Sequence, residues 1–241
     1  MSDIKRICLW SGPRNISTAL MYSFAQRSDT RVFDEPLYAH YLSTTGAHTF
    51  HPMAKEVLQT MENDGDKVVE MMLTRNDKPV LFFKQMTHHL ENISWDFMSH
   101  MQHIILTRHP KDMLPSYAKE IPNPTMRDVG YAKSVELLTY LQKRNIPVVV
   151  IDSASILKNP KEKLSSLCSF LGIPFMEEML SWKAGPIPED GVWAKVWYKN
   201  VHRSTGFLPY SKTSTPFAER LNPLLKECMP LYKKLLENCR D

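Results

Sequence analysis

Five short runs recur along the chain, each apolar on both faces instead of alternating, with helical patterns between them. They are residues 4–10 (IKRICLW), 30–35 (TRVFDE), 79–85 (PVLFFKQ), 101–107 (MQHIILT) and 146–152 (IPVVVID). A strand apolar on both faces has to be covered on both, which is the mark of a parallel sheet held between two helical layers. Strands alternating with helices therefore predict a three-layer α/β/α arrangement around a central parallel sheet. In such folds ligands bind beyond the carboxyl ends of the strands, so the residues following each run are the first candidates for chemistry.

The intervening segments are helical. Ile16, Leu20 and Phe24, with Ala19, form one apolar stripe. Residues 52–73 read as one broken helix or two, since Asp64-Gly65 is a stop signal. Residues 125–145 read as one long amphipathic helix. Asn159, Pro160 and Gly172 are the cap, first position and stop of another. Residues 183–214 lack regular periodicity and carry Gly, Pro and Trp, which fits a long ordered loop closing over a site. From about residue 216 a helix-rich tail follows, with interruptions expected near Pro223 and Pro230. At 241 residues, one domain spanning 1–241 is the expectation.

Composition narrows the partners. Net charge is only +4, with no dense Lys/Arg block, which suits a small anionic ligand and not a nucleic acid. No apolar stretch approaches the ~20 residues of a membrane span, and the first residues do not form a signal peptide, so a cytoplasmic protein is expected. Cys8, Cys168, Cys228 and Cys239 are scattered without a CxxC pair, which fits a reducing compartment and argues against zinc. His48 and His51 lack an evident third ligand, so no metal is expected.

The first run leads into Ser11-Gly12-Pro13-Arg14-Asn15-Ile16-Ser17-Thr18. Gly12 permits a tight turn. Ser17 and Thr18 fall where a helix begins, with free backbone N–H groups and a positive dipole end that stabilise an anion. Arg14 adds charge. The lysine of a Walker loop is missing, which disfavours simple ATPase or GTPase chemistry. Ser17 as a plain helix cap is the alternative reading. The fourth run ends at Arg108, with Ser116 eight residues on along a helix begun by Pro110. An arginine there can fork onto a phosphate, or pair with a surface carboxylate.

Taken together, a strand, a Pro-Arg-x-x-Ser-Thr loop and a later strand ending in Arg-x-Pro with a following Ser resemble the sulfotransferases that use 3′-phosphoadenosine 5′-phosphosulfate (PAPS). The segment VVVIDSASILKNPKEKLSSLCSFLGIPF and the loop VHRSTGF are similar to further segments of that family. The resemblance implies a P-loop NTPase-like fold, PAPS as co-substrate and a small organic acceptor. It implies that Gly12, Pro13, Arg14, Asn15, Ile16, Ser17 and Thr18 hold the 5′-phosphosulfate. Arg108 and Ser116 would hold the 3′-phosphate, with Arg203 and Gly206 closing over it. Asn15-Ile16 departs from the Ser-Gly of many members.

Sulfuryl transfer needs positioning, charge stabilisation and a base near the acceptor. Arg14 is the expected stabiliser of charge on the leaving phosphate. Glu35, fixed after the second run by Asp34 and Pro36, is the first candidate base, and His88 the next. Lys84 is a candidate for sulfate contact. Tyr38, Tyr41 and Trp197 are candidates for the acceptor pocket, although such aromatics more often simply pack, and His89 is another, with a surface ring as its alternative. A phosphotransferase using Asp34 to hold magnesium and a non-catalytic nucleotide-binding relative are the rival readings. Monomer and homodimer are both open.

Overall fold

The computed structural model describes residues 4–210 and 217–239. Residues 211–216, the end of the expected loop and the start of the expected tail, lie outside them. Five strands form in the order of the five runs: β1 (Lys5–Ser11), β2 (Thr30–Asp34), β3 (Val80–Met86), β4 (Gln102–Thr107) and β5 (Val148–Asp152). They make one all-parallel sheet in the order β2-β3-β1-β4-β5. The helices are α1 (Ser17–Ala25), α2 (Tyr38–Thr45), α3 (Ala54–Thr60), α4 (Gly65–Thr74), α5 (Pro110–Tyr117), α6 (Met126–Val129), α7 (Tyr131–Lys143), α8 (Ser153–Lys158), α9 (Pro160–Leu171), α10 (Ala194–Trp197) and α11 (Asn222–Leu236).

Alternation within each strand decides the layers. Cys8 and Trp10 of β1 and Leu81 and Phe83 of β3 pack one way, against α4, α5, α7 and α11. Ile7, Leu9, Val80 and Phe82 pack the other way, against α1, α8 and α9. A third apolar cluster joins Tyr38, Ala39, Tyr41 and Leu42 of α2 to Trp193, Ala194 and Tyr198. Side chains directed both up and down are thus buried along the central strands β1, β3 and β4, apart from their ends, as the non-alternating runs require.

Three helix expectations are corrected. Residues 125–145 do not form one helix. Gly130, at φ 75°, ends α6 and begins α7. A side chain there would place its Cβ 2.6 Å from Thr87 Oγ1 and 3.4 Å from the Cα of Gly12, so the break lets the chain press against the turn after β1. The tail is not interrupted at Pro230. α11 runs through it, with Pro223 accommodated in the first turn. Asn159 stands at the start of α9, but its amide donates to Glu162 instead of capping the helix. Asp64, by contrast, caps α4 by accepting from the N–H groups of Asp66 and Lys67, which splits residues 52–73 into two helices.

Among the described residues, no helix is long and apolar enough to cross a membrane.

Candidate active site

The turn after β1 is strained. Arg14 has φ 58° and Ile16 φ 60°, both left-handed. For a β-branched residue this is a costly conformation. Alternation through such angles turns successive N–H groups toward one side and makes an anion-binding concavity. Ile16, not Ser17, is the residue capping α1, and its side chain offers no cap. The first-turn N–H groups of α1 are left for something else. Gly12 lies under the turn, where a Cβ would sit 2.5 Å from the carbonyl oxygen of Val129. It shapes the loop and is not part of the cavity wall.

Two guanidinium groups meet at this turn. Arg14 Nε donates to Ser116 Oγ (3.0 Å) and its Nη1 to the Trp197 carbonyl (3.1 Å). Arg108 Nη1 donates to the Arg14 carbonyl (2.6 Å), and Tyr131 fixes the Arg108 backbone by donating to its carbonyl (2.6 Å). Among the described residues, neither arginine has a carboxylate within ion-pair distance. Burial, and then the Arg108 charge, push the Arg14 pKa below its ordinary value. Asn15 anchors the turn through its amide, which donates to the Leu106 carbonyl (3.1 Å), while its buried Oδ1 has no partner. Cations without carboxylate partners and free N–H groups can hold an anion such as a phosphate.

A cavity of about 410 Å³ extends from this turn. Pro13, Arg14, Asn15, Ile16, Ser17, Thr18, Arg108, Ser116 and Gly206 line it together with Glu35, Tyr38, His88, His89 and Trp197. The sequence expectations for these residues thus converge on one space. Besides Gly12, three others do not reach it. Arg203 is exposed and does not line the cavity. Tyr41 is buried behind the wall, its ring 5.0 Å from those of both His88 and His89. Lys84 is fully buried, with its ammonium directed at other protein groups.

Those groups form a compact network. β2 and β3 pair with Asp34 opposite Lys84. Lys84 Nζ donates to Asp34 Oδ1 (2.9 Å), to Glu35 Oε1 and to the Tyr198 hydroxyl (2.6 Å). That hydroxyl also accepts from Trp193 Nε1 (3.0 Å) and donates to Asp34 (2.8 Å). The Gly191 N–H donates to Asp34 Oδ2 (3.0 Å). Burial alone would lower the Lys84 pKa, but Asp34 and Glu35 outweigh it and hold it above its ordinary value. Glu35 is pushed upward, first by burial and also by Asp34, against the pull of Lys84. Its backbone, at φ 47°, turns the carboxylate from the end of β2 into the cavity wall.

Three imidazoles, His51, His88 and His89, line the same cavity as Glu35. His89 Nε2 lies 3.9 Å from Glu35 Oε2. Burial keeps all three rings neutral at pH 7: it lowers His51 to about 4, His88 to about 3, and His89 well below 6.5. His88 Nδ1, His89 Nδ1 and His51 Nε2 are buried without a hydrogen-bond partner among the described residues.

The segment from 183 to 210 covers the cavity, contributing Trp193, Tyr198, Asn200, Val201 and Leu208 to its wall. Besides Asp34, it is held through Asp190, which accepts from the Tyr22 hydroxyl (2.7 Å) and pairs with His202 Nε2 (2.9 Å). His51 and Tyr117 also line the cavity, although sequence reasoning placed neither there. Tyr117 directly follows Ser116 in α5, a signal that was available. His51 gives no local signal.

A family model described as a sulfotransferase domain matches residues 5–239. Two Arabidopsis thaliana proteins are similar: branched-chain-amino-acid aminotransferase-like protein 1, 43% identical over 98% of this chain, and protein 2, 42% identical over 94%. The chain spans only 42% and 40% of their lengths. A sulfotransferase domain from the curacin biosynthetic pathway is similar in structure (TM-score 0.53, 18% identity, 95% of this chain and 99% of that one). So is a mouse sulfotransferase complexed with PAP (TM-score 0.58, 14% identity, 98% and 89%). At such identities the likeness shows the fold, an α/β fold with a central parallel sheet.

Proposed function

The chain belongs to the sulfotransferase domain family, and from that premise we propose that it moves a sulfuryl group from PAPS to a hydroxyl or amine of a small organic acceptor. The observation that carries the reading is the pair Arg14 and Arg108, without carboxylate partners, beside the uncapped start of α1 and in one cavity with a buried carboxylate.

PAPS supplies an electron-poor sulfuryl group already joined to a phosphate leaving group. The turn N–H groups, Arg14, Ser17 and Thr18 bind the 5′ end. Arg108 and Ser116 bind the 3′-phosphate, with Gly206 in the covering segment. Arg14 stabilises charge on the leaving oxygen, and its bond to Ser116 fixes the guanidinium in place. Glu35 accepts the acceptor's proton. Its raised pKa brings it closer to the operating range of a general base, whereas His88, held to about 3, is the weaker candidate. Lys84 keeps Glu35 oriented and makes no sulfate contact. Asp34 is fully engaged by Lys84, Tyr198 and the Gly191 N–H, which counts against the magnesium-holding role that a phosphotransferase would require of it.

Thermal stabilisation by 3′,5′-bisphosphoadenosine (PAP), compared with ATP and AMP, tests the reading. At 100 times its dissociation constant a ligand adds about 2.7 kcal/mol. A clear rise with PAP and little with ATP is expected. Equal effects of the three nucleotides would refute it.

A further inference from the structure

At Glu35 two buried carboxylates, its own and that of Asp34, share one ammonium, the buried Lys84. Among the described residues, Lys84 and the His89 ring are the basic groups within ion-pair distance of Glu35, and the Arg14 guanidinium of the same cavity is not. Arg127 on α6 lies over the Tyr41 ring at 5.5 Å and does not line the cavity. It is followed in sequence by the buried Asp128. His51, His88 and His89 are held neutral, so they do not repel a cation, and each has an unpartnered buried nitrogen. Aromatic side chains also line the cavity. Tyr38 and Trp193 meet edge to face at 5.0 Å, with Tyr117, Trp197 and Tyr198 completing the enclosure.

A buried carboxylate short of a counter-charge, inside aromatic faces and neutral imidazoles, is a receptor for a protonated amine. Resting on the sulfotransferase reading above, we infer that the acceptor is a small primary amine, seated as its ammonium on Glu35. The same carboxylate then takes one N–H proton. The freed nitrogen lone pair forms the N–S bond as the S–O bond to the 5′-phosphate breaks, and that electron pair leaves with PAP. The second N–H proton passes to water, and the product is a sulfamate. An alcohol would leave the excess charge uncompensated, and a carboxylic acid would add to it.

Three probes with one body and different heads decide the matter: 2-phenylethylamine, 2-phenylethanol and 3-phenylpropionate, titrated into PAP-loaded protein by calorimetry. The amine is expected to bind at least about 10-fold more tightly than the alcohol, as a charge-assisted bond in a buried site implies, with the acid weakest. Glu35→Gln should abolish that preference while PAP still binds. Incubation with PAPS should yield the sulfamate by mass spectrometry. Equal or tighter binding of the alcohol or acid, binding of none of the three, or a preference that survives Glu35→Gln overturns the proposal. The PAP-against-ATP comparison separates this failure from failure of the sulfotransferase reading. Should PAP not bind selectively, the same titration on nucleotide-free protein still reads the amine preference.

Discussion

At residue scale, Ile16 is the position where loop shape and side-chain chemistry conflict most. Its left-handed backbone costs ~1–2 kcal/mol for an L-residue, and its side chain packs at the edge of the α1-side core. Partial burial of an isoleucine returns an energy of similar size. Ile16→Gly should therefore be near neutral, losing packing but gaining backbone relief. Ile16→Ala loses the packing without the relief, so it should fall below Ile16→Gly by about 1 kcal/mol in urea denaturation. An alanine variant as stable as the glycine variant would show that the turn relaxes. The sequence already showed Asn15-Ile16 as a departure from Ser-Gly. It could not show that the glycine position of that pair is the left-handed one, because φ is set by how α1 docks. The buried placement of Lys84, outside the cavity lining, was not legible for a related reason. Its place at the end of an apolar run was visible, but Asp34 beside it depends on the β2–β3 register, which no single run contains.

At the scale of elements, the five strands were legible because burial on both faces leaves no polar alternation to confuse the pattern. The break at Gly130 was not, because apolar periodicity passes through it. Only contact with Gly12, far away in sequence, demands it. The segment 183–210 was recognisable as a covering loop from its lack of periodicity, though not its fastening. That fastening centres on the Tyr198 hydroxyl, which bonds Lys84, Asp34 and Trp193 at once. Tyr198→Phe leaves these buried groups short of a partner and should cost about 1–3 kcal/mol. Limited proteolysis should then nick residues 183–210 faster than in the parent, with PAP protecting less well. Unchanged cleavage would place the fastening elsewhere, at Asp190 with Tyr22 and His202.

The whole molecule carries several buried histidines as neutral rings, and this sets its response to acid. His88 is lowered to about 3, His51 and His103 to about 4, all by burial. His103 accepts from Trp10 Nε1 and is nowhere near the cavity. Below pH 6.5 the unfolded chain binds protons at these sites and the native state does not. Stability is therefore fully present above about pH 6.5 and is lost as pH falls toward the folded values, by about 1.4 kcal/mol per pH unit for each such ring. A melting temperature that drops steadily from pH 7 to pH 5, well above ordinary carboxylate titration, is expected. A flat profile over that range would mean the rings are reached by water.

The covering segment has one more consequence, which concerns the order in which the chain is made. Arg14 waits for the carbonyl of Trp197, and Lys84 for the hydroxyl of Tyr198, partners that follow them by 183 and 114 residues. During synthesis the anion-binding turn and all five strands leave the ribosome before the segment that roofs them. A nascent chain thus passes through a stage with an open, positively charged crevice whose ligand can arrive before its lid, and binding at that stage would guide the roof into place.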